Sequence, residues 1–391
     1  MRPTVKLWEL YDITSSKRVF EKDWKKSWVP FYRAREIVKL SENWYVDNEL
    51  FISEEMYKEY WEKYWLPKKN DIMVTWVGTI WICYLVKDND KFYFKDGNIL
   101  RFKNKWKDVN SSFVEYFFKT DLLKNQIQSF WSVVQTLTIQ KAKEVEIPLP
   151  PLETQKAIVA KLDQIFAELD QTKLEIQKNL DNTDELWKSA LNQAFQGDWE
   201  MKKLGDCVKI NNWYVLTEFD ENWKYACIKV WDMNLVENNP FITTSEHWIN
   251  EYKENRIVEE NSIIFPKRWA AIATNKKRLN KIPCYIDNNC MAISIKDNVH
   301  ILPMFLFTFM QWFDLSTISN SAGIPLINNN DIWGVIIPVP PFSEQEKIVE
   351  HLDQISKEVK ALKSQYQSQL DNLEELKKSV LDKAFRWEMG E

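Results

Sequence analysis

The stretch Ile147-Pro148-Leu149-Pro150-Pro151 returns 190 residues later as Ile337-Pro338-Val339-Pro340-Pro341. At the same offset Gln155 matches Gln345, Leu162-Asp163-Gln164-Ile165 matches Leu352-Asp353-Gln354-Ile355, Leu180-Asp181-Asn182 matches Leu370-Asp371-Asn372, and Ala194-Phe195 matches Ala384-Phe385. Roughly half of positions 147–195 are identical to their partners. A shorter match opens each half, where Lys6-Leu7-Trp8-Glu9-Leu10 resembles Lys203-Leu204-Gly205-Asp206-Cys207. The chain therefore reads as two similar halves, each a variable region (1–146 and 199–336) followed by a repeated segment (147–198 and 337–391).

In each repeat the prolines forbid helix and end an extended run. Ser343 and Glu346 then have capping-box spacing for a helix start. Apolar residues follow at Ile348, Leu352, Ile355, Val359, Leu362, Tyr366, Leu370, Leu373, Leu376 and Val380, a single stripe with steps of four and three like that of a coiled coil. The first copy keeps most of the stripe at Ile158, Leu162, Ile165, Leu169, Ile176 and Leu180. Neither Gly nor Pro interrupts 156–195 or 346–385, so each helix has room for ~40 residues, or about 60 Å at 1.5 Å per residue. Globular helices typically run about 8–20 residues. Two helices of about twice that length, at equivalent positions, predict a spacer that holds two globular bodies apart rather than two ordinary core helices.

The variable regions show short β-like runs at 71–75, 80–86, 92–94, 262–265 and 292–295, with helical patches at 53–65, 110–128 and 301–314. This predicts an α+β protein in which two mixed α/β bodies share one fold, each with a twisted, largely antiparallel sheet.

Composition narrows the function. The net charge of −5 speaks at first against a polyanion partner, but the acidity is uneven: residues 1–150 carry 25 basic and 21 acidic groups, whereas 151–198 carry 5 and 9. Basic clusters lie in the variable regions, at Lys22, Lys25 and Lys26, Arg33 and Arg35, Lys68 and Lys69, and Arg101, Lys103, Lys105 and Lys107. The second region has Lys267 and Arg268, then Lys276, Lys277, Arg278 and Lys281, interleaved with Asn275 and Thr274, side chains able to reach phosphates and base edges. The five cysteines, Cys83, Cys207, Cys227, Cys284 and Cys290, form no Cys-x-x-Cys, and three histidines give no zinc-ligand spacing, so the thiols read as reduced and structural. The chain has no Walker A loop and no nucleophile–base set. Asn238-Asn239-Pro240-Phe241 is similar to the Asn-Pro-Pro-Phe/Tyr site of amino-methyltransferases but lacks its second proline and any Gly-rich cofactor loop, and reads as a turn. No apolar stretch approaches the ~18 residues of a membrane span, and the N-terminus lacks a signal-peptide core. A cytoplasmic, non-catalytic protein is expected.

Duplicated Ile-Pro-x-Pro-Pro-x-x-x-Gln segments, each running into a Leu-Asp-Gln-Ile helix that ends in Ala-Phe, resemble the specificity (S) subunits of type I restriction–modification systems, the HsdS family. The resemblance implies two target-recognition domains (1–146 and 199–336), each reading half of a bipartite double-stranded DNA site, separated by an antiparallel, coiled-coil pair of the long helices acting as a ruler. It also implies partners: two methyltransferase subunits and, in the full complex, ATP-driven restriction subunits, to which S-adenosylmethionine, ATP and magnesium would belong. On this reading Lys25, Lys26, Arg33, Arg35, Lys68 and Lys69 hold DNA at the first half-site. Lys267, Arg268, Lys276, Lys277 and Arg278 hold it at the second. Ile158, Leu162, Ile165, Leu169, Leu180, Ile348, Leu352, Ile355, Val359, Leu362 and Leu370 pack the helices. The alternatives are a duplicated coiled-coil scaffold for protein partners, which would give no sequence-dependent DNA protection, and a fused methyltransferase, for which the chain has no motifs.

One compositional oddity remains. Usual glycine usage predicts roughly 27 glycines in a chain of this length. There are 7, beside 20 tryptophans, and the two types together reach the expected number. Within the repeat Trp8 lies opposite Gly205 and Trp387 opposite Gly197. Trp also occupies turn-like settings at Asn43-Trp44, Asn212-Trp213, Asn222-Trp223 and around Gly78-Thr79-Ile80, at Trp76 and Trp81. The expectation is that many of these codons, UGA above all, are read as glycine in the native host, whereas Trp187 and Trp199 are true tryptophans.

Overall fold

The computed structural model describes the chain except for residues 1–3, 44, 65, 76–80, 96, 130–138, 212–223, 251–255, 321–323 and 387–391. The repeated segments form two uninterrupted helices, Leu152–Ala194 and Phe342–Arg386, of 43 and 45 residues. Each starts directly after its proline run. The Pro151 carbonyl accepts from the Gln155 N–H and the Pro341 carbonyl from the Gln345 N–H, both at 3.0 Å. Ser343 thus lies inside the first turn rather than at the cap, because the helix already closes onto Pro341.

The chain divides into two compact units within these helices. The first comprises Met1–Gln177 and Gln367–Glu391, the second Lys178–Tyr366. Each unit is therefore one variable region, the beginning of the helix that follows it and the end of the other long helix.

In the first unit the strands order as Tyr11–Thr14, Ile99–Asn104, Ile72–Thr75 and Cys83–Leu85, all antiparallel. A second sheet orders Phe51–Ile52, Val29–Tyr32 and Tyr93–Phe94, the last pair parallel. The second unit repeats the plan. Its main sheet orders Val208–Asn211, Cys290–Ile295, Ile263–Pro266, Arg278–Asn280 and Phe241–Ile242, and its smaller sheet orders Trp248–Ile249, Tyr225–Ile228 and Cys284–Ile286. The two regions share a fold: the parallel pair of the smaller sheet recurs in both, and the second main sheet adds one edge strand, Phe241–Ile242, paired parallel to Arg278–Asn280.

The repeated segments are anchored identically. Thr4–Lys6 pairs with Glu146–Pro148, and Glu200–Lys203 with Ile336–Val339. The helical turns Leu7–Leu10 and Leu204–Cys207 follow, their first N–H groups donating to the Val145 and Val335 carbonyls. A buried glutamine then locks each long helix to its body. Gln155 Oε1 accepts from the Asn110 N–H (2.9 Å) while its Nε2 donates to the Pro150 (2.8 Å) and Asp108 (3.3 Å) carbonyls. Gln345 Oε1 accepts from the Leu302 N–H (2.8 Å) while its Nε2 donates to the Pro340 (2.9 Å) and His300 (3.0 Å) carbonyls.

The Ala-Phe pairs close the cores. In the first unit Phe385 packs on Phe113 and Phe117, with ring centroids 4.7 and 5.6 Å apart. In the second Phe195 packs on Phe305 and Phe309, at 5.7 and 5.6 Å. Leu162 is fully buried beside Phe166 and Leu381 in one core, and Ile348 and Leu352 lie beside Leu191 in the other. Ile158, Ile165 and Leu169 line the first core partly buried. Val359 is buried, while Leu180, Ile355, Leu362 and Leu370 are half-buried. The stripe thus serves the globular bodies at its ends as well as helix pairing. Within the first unit Lys173 pairs with Glu374 (2.6 Å) and Asp170 with Lys377 (2.9 Å), so the helical segments run antiparallel. Within the second, Asp184 pairs with Lys363.

Candidate nucleic-acid interface

A DNA-holding surface needs cations whose charge is not already spent. In the first unit Lys25 and Lys26 lead into the strand Val29–Tyr32 and are exposed. Lys25 exchanges main-chain hydrogen bonds with Phe51, which fixes the backbone and leaves the side chain outward. Arg33 and Arg35 start the helix Ala34–Asn43 and close on carboxylates. Arg33 Nη2 donates to Glu36 (2.9 Å), Arg35 pairs with both Glu36 and Glu49, and Glu36 is buried. Burial pushes the Glu36 carboxyl up, but the hydrogen bonds from Arg33 and Arg35 outweigh it and hold the group below its usual range. These two arginines neutralise a buried charge.

Lys68 Nζ stands 5.0 Å over the Trp61 ring, and Lys69 pairs with Asp88. Arg101, one of the clustered basic residues, is in the core, where its Nε donates to Asp71 (2.7 Å). Lys105 donates to the Trp8 carbonyl (2.6 Å).

In the second unit Lys267 and Arg268 leave the central strand Ile263–Pro266 side by side, both half-buried. Burial and the neighbouring Arg268 charge push Lys267 down. The backbone here is held on two sides: the Lys267 N–H donates to Asn289, its carbonyl accepts from Ile327, and Arg268 bridges to Leu326.

Lys276 donates to the Asn234 side chain. Lys277 is only 2% exposed, its ammonium held by Asn275 Oδ1 (2.6 Å) and the Phe313 carbonyl (2.5 Å). Burial pushes it down to about 7, against the opposing pull of Asp314. Arg278 donates to the Lys277 (3.0 Å) and Met233 (2.9 Å) carbonyls. Lys277 is therefore removed from the phosphate-contact set, because its ammonium closes the 275–278 turn onto the end of the helix Pro303–Trp312.

Asn238 is a turn residue, as its sequence context indicates. It is buried, its Nδ2 donates to the Asp232 (3.0 Å) and Thr244 (2.9 Å) carbonyls, and its Oδ1 accepts from the Thr243 and Thr244 N–H groups. Every polar atom of its amide is committed to the chain. All five cysteines are buried thiols, and burial pushes Cys83 and Cys284 up to about 12. Trp44, Trp76, Trp213, Trp223 and Trp387 lie outside the described residues, as does Gly78-Thr79-Ile80.

Each unit has a groove where its body meets the helical segments. In the first it is about 980 Å³ and lined by Glu115, Tyr116, Lys119, Asp163, Phe166 and Lys173. In the second it is about 350 Å³ and lined by Phe241, Met304, Phe307, Val349, Leu352 and Lys363.

Comparison with known proteins bears on the same plan. A family model for the type I restriction modification DNA specificity domain matches residues 3–187 and 196–372. The chain is 24% identical over 313 residues to the EcoKI specificity subunit of Escherichia coli K12, covering 72% of this chain and 66% of the relative, just under two thirds of its length. It superposes on a solved chain from work on complex assembly and conformational transition of the type I R-M system, with a TM-score of 0.76, 18% identity and 98% of both chains covered. The HsdS subunit from Thermoanaerobacter tengcongensis superposes with a TM-score of 0.61 at 19% identity, covering 98% of this chain and 96% of that one. These two likenesses bear on the fold.

Proposed function

The chain belongs to the type I restriction–modification DNA specificity family, and from that premise we propose that it is the DNA-reading subunit of such an assembly. Each body would address one half of a bipartite site. The long helices, shared by both units, would set the spacing and dock two methyltransferase subunits, with restriction subunits joining the full complex.

The duplication carries this reading. Two units of the same strand plan each hold the start of one long helix and the end of the other. A chain with an internal two-fold plan offers equivalent surfaces to two copies of one partner. Lys25 and Lys26 in one body, and Lys267 and Arg268 in the other, would fix register on phosphates, leaving base reading to neighbouring loops.

The test is reconstitution of this chain with its methyltransferase partner, followed by mapping of protected and methylated bases. A bipartite motif is expected. Lys267→Ala with Arg268→Ala should weaken binding and lower the salt slope by about one per lost phosphate contact. An assembled complex that protects DNA without regard to sequence would refute the reading and leave a duplicated protein scaffold.

A further inference from the structure

Six described non-glycine residues have positive φ: three asparagines, Asn70, Asn261 and Asn275, and three tryptophans, Trp28 (106°), Trp81 (61°) and Trp269 (67°). Asparagine enters this region readily, whereas for a bulky side chain it is a genuine outlier. Trp28 and Trp269 are 67% and 56% exposed, so core burial does not offset the strain there. Trp81 is buried against Phe118, yet its indole N–H has no acceptor among the described residues.

Two of the three positions correspond in topology. Ile72–Thr75 and Ile263–Pro266 are equivalent central strands, and the connection after each, to Cys83–Leu85 and to Arg278–Asn280, holds one of the left-handed tryptophans. The fold therefore asks twice, at one topological place, for a residue without a side chain.

Other tryptophans behave oppositely. Trp187 packs partly buried on the second core, and the Trp199 ring sits so close to Gly197 that a Cβ there would come within 2.1 Å of it. Trp8 lies in an ordinary helical turn, where the backbone does not ask for glycine.

We infer that residues 28, 81 and 269 are glycine in the protein as its host makes it, and that glycine at 269 opens the Lys267-Arg268 turn to a DNA phosphate. Without the indole, the backbone beside two adjacent cations can approach an anion closely, and the left-handed conformation costs nothing. The phosphate half of the inference rests on the DNA-reading function proposed above; the glycine half does not.

Protein isolated from the native host, digested and weighed, should give peptides with glycine at 28, 81 and 269 and tryptophan at 187 and 199. Tryptophan at the first three overturns the inference. In the recombinant complex, Trp28→Gly and Trp269→Gly, whose side chains pack in no core, should each raise Tm by about 2–4 °C or more, and Trp269→Gly should also tighten DNA binding. Trp269→Ala, which removes the indole but keeps a Cβ at positive φ, should give a smaller rise in Tm. Equal gains from Ala and Gly overturn the glycine requirement. Unchanged affinity in Trp269→Gly, with sequence-dependent protection intact, overturns the phosphate contact while the family function stands. Loss of sequence-dependent protection in every variant and in the parent complex is instead a failure of the DNA-reading function.

Discussion

Replacing Gln345 by Ala should uncouple the second body from its long helix. Gln345 is fully buried and satisfies three backbone groups at once, the Leu302 N–H and the Pro340 and His300 carbonyls. A buried polar group left without a partner costs about 1–3 kcal/mol. Three such groups set an upper bound near 9 kcal/mol, and water entering the vacated space lowers it, so a loss of about 3–5 kcal/mol is expected. That is a large share of the ~5–15 kcal/mol that holds a typical domain. The assay is urea unfolding followed by circular dichroism, with Gln354→Ala as control. Gln354 donates to Glu358 on the exposed helix surface, where a change within about 0.5 kcal/mol is expected. Gln155→Ala should behave like Gln345→Ala, because Gln155 makes the same three bonds in the first unit. Gln345→Ala and Gln354→Ala losing equal stability would refute the reasoning.

Phe385→Ala removes the ring that closes the first core on Phe113 and Phe117 and should cost about 3–5 kcal/mol; unfolding curves check it, and Phe195→Ala should match it in the second unit. Lys277 gives a pH signature. Its ammonium is pushed down to about 7 by burial, against about 10.4 in an unfolded chain, so between those values the unfolded state binds the extra proton. Stability should then rise with pH across that window, by at most about 1.4 kcal/mol per pH unit. Lys277→Met should flatten that slope in denaturation series from pH 7 to 10. The exposed Lys173–Glu374 pair should matter little: Lys173→Glu is expected to cost at most about 1 kcal/mol, and adding Glu374→Lys should restore it in a double-mutant cycle.

The long helices were legible because their signal is covalent and repetitive: an unbroken apolar stripe, no Gly or Pro, and a second copy with the same residues. What the helices touch was less legible. Periodicity identifies an apolar face but not its neighbour, and the ends of the stripe, at Leu162 and Leu352, are occupied by the globular bodies as well. Gln155 and Gln345 were visible as matched letters, but a glutamine in a repeat carries no mark of burial. Its role emerges only when Asn110 and Leu302, distant in sequence, arrive beside it. The basic residues show the same limit more sharply. Lys276-Lys277-Arg278 and Arg33-x-Arg35 look alike as clusters, yet a run of cations does not reveal whether its counter-charge is intramolecular. Glu36 and Glu49 supply it for the arginines, and the Phe313 carbonyl and Asn275 take up Lys277.

The glycine deficit was legible as a count, but only the backbone can say which tryptophans stand where a side chain does not belong. Because each long helix contributes to both units, a substitution near its middle should be felt in both. One near its end, such as Phe195, should be felt in the unit that holds it, which lies in the half of the chain that follows. Sequence halves and folded units are therefore different divisions of this molecule, and variants designed to impair one body should be chosen by the second.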